Sequence, residues 1–197
     1  MIKLIIFDFS NVCFNLEEDP FVEKFAKKHK LDPKKFDEEY QQLVQKAEVD
    51  EIGGKQIWEV LLQKYHLNGN PSTIIEEMMN TKIAYPEILE LAKSLRQNYK
   101  TAYFTNYSKD YWDPIARKFD LKPYFDFGIV SYQIQSRKPA PKGFLVILKQ
   151  FKVKPEEAVF IDDSSRNVVE AGKLGIHTIL FKDKKQIQQE LRRLGAK

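Results

Sequence analysis

The chain has a single cysteine, Cys13, among 197 residues. An intrachain disulfide is therefore excluded, and a reducing compartment is the expected setting. With no second thiol and no base beside it, Cys13 reads as a small buried apolar residue. Histidine is nearly as scarce. His29, His66 and His177 share no ligand spacing and read as packing or surface residues. No low-complexity tract, internal repeat or membrane-length apolar run is present. The apolar start is interrupted by Lys3 and ended by Asp8 without a small-residue cleavage pattern, so no signal peptide is read and a cytoplasmic protein is expected. An excess of one charge is also missing: 32 Lys+Arg against 28 Asp+Glu leave a net charge of +4. Lys27-Lys28 and Lys184-Lys185 read as solvated helix faces, and neither a nucleic-acid footprint nor a membrane partner is expected.

What is present describes a globular chain, 43% apolar and 30% charged, long enough for a core domain with an inserted lobe. The opening run Ile2-Lys3-Leu4-Ile5-Ile6-Phe7 is rich in β-branched and aromatic residues and reads as a buried parallel strand that stops at Asp8. Ligands in open α/β sheets bind outside the carboxyl ends of strands. Taken alone, Asp8 reads more readily as a strand-ending or N-cap acid than as a catalytic one.

Residues 14–85 carry helical periodicity with almost no strand signal. Four stripes recur at helical spacing: Phe21, Val22, Phe25, Ala26 and His29; Phe36, Tyr40, Leu43, Val44 and Ala47; Ile57, Trp58, Leu61, Leu62 and Tyr65; and Ile74, Ile75, Met78 and Met79. Asp32 before Pro33, Gly53-Gly54, and Asn70 before Pro71 punctuate them. Trp58 and Trp112 fit helix cores. From Pro86 strands and helices alternate, with strands at 101–105, 127–130, 158–161 and 177–181, and Val168, Val169 and Gly172 striping one of the helices. The expected fold is a doubly wound parallel α/β sheet, with 1–13 and 86–197 forming a core domain and 14–85 an inserted helical domain.

A second strand end, Val159-Phe160-Ile161-Asp162-Asp163, runs straight into paired acids, which repel unless a cation compensates them. The sheet would bring Asp8 alongside. Carboxylates without Cys or His suit Mg²⁺ rather than zinc. Thr105-Asn106 ends a third strand, and Arg137-Lys138-Pro139 follows the fourth. Singly, Thr105 also reads as an ordinary strand-end hydroxyl, Lys138 as a surface lysine and Asn167 as an exposed helix residue.

In order and placement these segments resemble the haloacid dehalogenase-like (HAD) hydrolase superfamily, along the whole chain and including an α-helical cap after the first strand. Phe7-Asp8-Phe9-Ser10-Asn11-Val12, Arg137-Lys138-Pro139, Phe160-Ile161-Asp162-Asp163 and Phe181-Lys182-Asp183-Lys184 look most like its small sugar-phosphate phosphatases. The resemblance implies a Rossmann-like core, an aspartyl-phosphate on Asp8 and a small phosphorylated substrate. It further implies phosphate held by Thr105, Asn106 and Lys138, and Mg²⁺ bound by Asp8, Asp163 and the Ser10 carbonyl with help from Asp162. Asn167 would orient Lys138 or a metal-bound water.

One position departs from the pattern. Most phosphatases of the superfamily place an acid-base aspartate where this chain has Ser10, although the sugar-phosphatase branch often lacks it. Two alternatives follow: a dehalogenase-like hydrolase in which Asp8 attacks carbon, and a non-catalytic binding protein on the same fold. The Asp162-Asp163 pair argues against the first, and retention of Asp8, Lys138 and Asp163 against the second. Substrate choice would fall to the stretches Glu17-Glu18-Asp19 and Asp50-Glu51-Ile52-Gly53-Gly54.

Overall fold

The computed structural model of the protein describes residues 1–15 and 21–196. In chain order the elements are β1 (Leu4–Phe7), β2 (Phe14–Asn15), α1 (Phe21–Lys28), α2 (Pro33–Ala47), α3 (Gly54–Lys64), α4 (Pro71–Asn80) and β3 (Ile83–Ala84). They continue as α5 (Pro86–Leu95), β4 (Lys100–Thr105), α6 (Lys109–Lys118), β5 (Phe127–Val130), α7 (Lys142–Phe151), β6 (Ala158–Asp162), α8 (Ser165–Lys173), β7 (His177–Leu180) and α9 (Lys184–Arg193).

Five strands form one parallel sheet in the order β5-β4-β1-β6-β7. Alternation within β1 divides its side chains between two cores. Leu4 and Ile6 pack with Phe144, Ile147 and Leu148 of α7 and Ala171 of α8. Ile5 and Phe7 face Ile88 and Ala92 of α5, Ile115 of α6 and Ile187 of α9. Helices thus cover both faces, as burial of every β1 side chain demands. The doubly wound fold is the one expected from the alternating pattern, and α1–α4 stand as a helical insertion in chain order between β1 and α5.

The helix starts obey local chemistry. The Lys35 N–H donates to Asp32 Oδ1 across 2.9 Å, and the Ser72 N–H to Asn70 Oδ1 across 2.9 Å, each just before a proline in the first turn. Trp58 and Trp112 are both buried in the core. Four local readings are corrected. The two-residue strands β2 and β3 pair antiparallel at the base of the insertion, where no strand was expected. Strand β6 runs on to Asp162, and β7 stops at Leu180. On α8 the buried residue is Ala171 and Val169 faces solvent, because a small side chain lets the helix lie close on the sheet.

Candidate active site

Chain order moves outward from β1 to β4 and β5 on one side, then restarts with β6 and β7 on the other. The crevice between the carboxyl ends of β1 and β6 is therefore the topological switch point of the sheet. Asp8 and Asp162 stand there. The Asp8 N–H continues the ladder one residue past β1 by donating to the Ile161 carbonyl across 2.9 Å, which fixes the two acids side by side. Between them lies Lys138, its Nζ 2.6 Å from Asp8 Oδ1 and 2.6 Å from Asp162 Oδ2. Asp8 is 5% exposed, Lys138 2% and Asp162 0%, so the three ionisable groups meet out of water.

The lysine is positioned from several sides. Its backbone N–H donates to Asn106 Oδ1 across 2.8 Å, and Asn106 Nδ2 returns a bond to its carbonyl across 3.2 Å. Its ammonium stands 5.4 Å from the Phe160 ring centre and 5.7 Å from that of Phe104. Phe104 in turn presses on the start of α7, where a Cβ on Gly143 would lie 2.2 Å from the ring, so only glycine fits.

Asp162 is fully engaged. Besides Lys138 it accepts the Ser164 N–H across 2.8 Å, and Asn167 Nδ2 lies 3.1 Å from each of its oxygens. Asn167 thus holds Asp162, not Lys138 directly. Asp163 is exposed and accepts from Asn11 Nδ2 across 2.9 Å. Thr105, at the end of β4, has a buried hydroxyl with no partner among the described residues. Ser10 Oγ shares a 2.8 Å hydrogen bond with the Tyr107 hydroxyl. No spacing in the sequence pointed to Tyr107. Cys13 is buried and donates its thiol to the Asp8 carbonyl across 3.2 Å.

Burial pushes the Asp8 carboxyl up to about 7, against the pull of Lys138 and with a further upward push from Asp162. Burial works to lower Lys138 as well, but the Asp8 and Asp162 carboxylates outweigh it and hold the ammonium above its usual value. One ammonium between two buried acids leaves negative charge uncompensated. Asp8, Asp162 and Asp163 bring carboxylate oxygens within 4.8 Å of one another. A crowded, all-oxygen donor set of that kind fits a hard divalent cation such as Mg²⁺.

Beside these residues lies a cavity of about 250 Å³, lined among others by Ser10, Tyr40, Met78, Lys82, Asn106 and Tyr107. Glu48, at the end of α2, lines it too and accepts from Arg137 Nε across 2.6 Å. The stretch 50–54, expected to choose the substrate, meets the start of α6 through Gly54. There the Lys55 N–H donates to Asp110 Oδ2 across 3.0 Å, and Gly54 packs against Ser108. Glu17-Glu18-Asp19 lies outside the described residues.

Charged groups converging at a switch point, beneath a helical insertion and beside a small cavity, define an enzyme built on a doubly wound sheet. The chain belongs to the haloacid dehalogenase-like hydrolases, whose family model matches residues 2–175. It is 27% identical to the glyceraldehyde 3-phosphate phosphatase of Pyrococcus furiosus, over 96% of this chain and 85% of that protein. Against the D-ribitol-5-phosphate phosphatase of Bacteroides thetaiotaomicron it is 28% identical, over 97% of each. The structure superposes with a TM-score of 0.81 on a HAD family enzyme of Bacteroides thetaiotaomicron, solved as a complex with magnesium and inorganic phosphate. That match is 22% identical and covers 95% of this chain and 99% of the other. Among the described residues no helix is long and apolar enough to cross a membrane.

Proposed function

We propose that the protein is a Mg²⁺-dependent phosphatase of small, sugar phosphate-like metabolites that works through an aspartyl-phosphate on Asp8. The observation that carries this reading is the buried Asp8–Lys138–Asp162 cluster at the strand ends, beside the unpartnered Thr105 hydroxyl. The names of the two phosphatase relatives support the substrate class.

In this mechanism an Asp8 carboxylate oxygen attacks phosphorus, and the bond from phosphorus to the substrate's alcohol oxygen breaks. The departing oxygen takes a proton from solvent and leaves as the alcohol; water then attacks phosphorus, the bond from phosphorus to Asp8 Oδ breaks, and the water's proton passes to solvent, releasing inorganic phosphate and the free carboxylate. The Thr105 hydroxyl and the Asn106 main chain hold phosphoryl oxygens, while Lys138 offsets the charge that nucleophile and phosphate share. Asp162, steadied by Asn167, holds Lys138 in place. Asp8, Asp163 and the Ser10 carbonyl would hold Mg²⁺, with Asp162 behind them. The cation, when bound, lowers the repulsion between an anionic nucleophile and an anionic phosphate. Residues 14–85 act as a cap that shuts the cavity over the core formed by 1–13 and 86–197.

The test is phosphate release from p-nitrophenyl phosphate, glyceraldehyde 3-phosphate and ribitol 5-phosphate, with Mg²⁺ and with EDTA, beside chloride release from 2-chloropropionate. Phosphate release that EDTA abolishes, with no chloride, is the expected result. Metal-independent chloride release would make the protein a dehalogenase and overturn this reading.

A further inference from the structure

Lys82 is a buried charge that the proposed chemistry leaves unused. It follows α4, is 7% exposed, and lines the same cavity as Ser10, Asn106 and Tyr107. The two carboxylates that line this cavity have partners: Glu48 takes Arg137, and Asp37 accepts from Gln41 Nε2 across 3.2 Å. The Lys82 ammonium has none among the described residues, and burial pulls it down to about 8. The residue is largely withdrawn from water and lines a cavity, so an anion entering that cavity would pair its ammonium.

The placement is fixed. The Lys82 N–H donates to the Met79 carbonyl across 3.2 Å, and its carbonyl accepts from Lys118 Nζ of α6 across 3.0 Å. Its successor Ile83 pairs with Asn15 at the base of the insertion. The backbone is therefore tied to both the insertion and the sheet domain's helices, and the side chain cannot drift from the cavity with one of them.

We propose that Lys82 receives a second anionic group of the substrate, a carboxylate or a second phosphate, at the end of a short chain whose phosphoryl group reaches Asp8. The inference rests on the phosphatase reading of the same cavity and narrows it. A neutral polyol phosphate would leave the Lys82 ammonium unpaired, whereas a doubly anionic substrate would give it an anion while the phosphoryl group meets Asp8 and Lys138 beside the cavity. Tyr40 and Met78 line the same cavity.

Calorimetric titration with inert phosphonates tests this without requiring turnover. The probes are propylphosphonate, 3-phosphonopropionate and propane-1,3-bisphosphonate, in the presence of Mg²⁺. At least one doubly anionic probe is expected to bind about 10-fold to 100-fold more tightly than propylphosphonate, the scale of a charge-assisted contact. Lys82→Met removes that advantage and Lys82→Arg keeps it. Preference for the carboxylate or for the bisphosphonate identifies which second anion the site takes. Equal binding of all three by the wild-type protein, or an advantage that survives in Lys82→Met, overturns the proposal. A wild-type protein that shows the advantage but hydrolyses no phosphate ester contradicts the phosphatase reading while upholding the role of Lys82.

Discussion

Arg137 Nε lies 2.6 Å from Glu48 Oε2 and so joins the residue before Lys138 to the end of helix α2 in the insertion. Burial raises the Glu48 carboxyl and Arg137 opposes the rise, so the acid is the member that depends on the pair. Arg137→Gln strands a buried carboxylate and is expected to cost about 1–3 kcal/mol. Urea unfolding of Arg137→Gln, Glu48→Gln and the double variant measures it. A double variant as stable as Glu48→Gln alone agrees with a dependent acid, and fully additive losses would exclude one.

Lys138 is the one ammonium between Asp8 and Asp162. Lys138→Met leaves two buried carboxylates facing each other and is expected to destabilise the fold by about 3–5 kcal/mol. Asp8→Asn removes one of the two charges. Combined with Lys138→Met it should return a large part of that loss, which equilibrium unfolding in EDTA will show. If the double variant is less stable than Lys138→Met, the three groups do not act as one charge cluster.

Gly54 opens α3, where alanine would ordinarily favour the helix by about 1 kcal/mol. Here a Cβ would lie 2.5 Å from Ser108 Oγ and 2.9 Å from Asp110 Cβ. The Asp110 Cβ belongs to α6 and cannot rotate away, so the clash decides the sign. Gly54→Ala is expected to cost about 1–3 kcal/mol. At Gly53 the nearest atom, Asp110 Oδ2, is 3.6 Å from the added carbon, and alanine there should be tolerated. Thermal melts of the two variants compare them directly; equal melting temperatures would refute the contact.

Ser10 offers a hydroxyl paired with Tyr107 where an acid-base carboxyl is commonly found. A positioned general acid is worth ~10²–10⁴-fold and matters most for poor leaving groups. The wild-type protein should therefore favour p-nitrophenyl phosphate over alkyl phosphates, and Ser10→Asp should narrow that ratio. Steady-state kcat on the two substrate types gives the answer. An unchanged ratio would mean that protonation of the leaving group does not limit turnover.

Much of the fold was legible because it rests on period and punctuation. The runs ending at Asp8, Thr105 and Asp162 are strands whose residues are buried on both faces, and Asp32 and Asn70 cap helices as their side chains dictate. The strands β2 and β3 were not legible, since two residues cannot display a period of two. At the site, Asp8, Lys138 and Asp162 could be gathered from strand-end placement and family resemblance. Tyr107, Arg137–Glu48 and the docking of Gly54 could not, because each is a contact between segments far apart in the chain and has no spacing signature along it. The same holds for Lys82, which looks like any surface lysine until the cavity closes around it.

The claim on which the rest depends is that Asp8 carries the phosphoryl group. Acid-quenched turnover of p-nitrophenyl phosphate in Mg²⁺, followed by peptide mass spectrometry, tests it directly. The account expects one phosphoryl group on the peptide containing Asp8, sensitive to hydroxylamine as an acyl phosphate must be, and neither adduct nor turnover in Asp8→Asn. Undiminished phosphate release by a folded Asp8→Asn protein, or an adduct on any other residue, would contradict it.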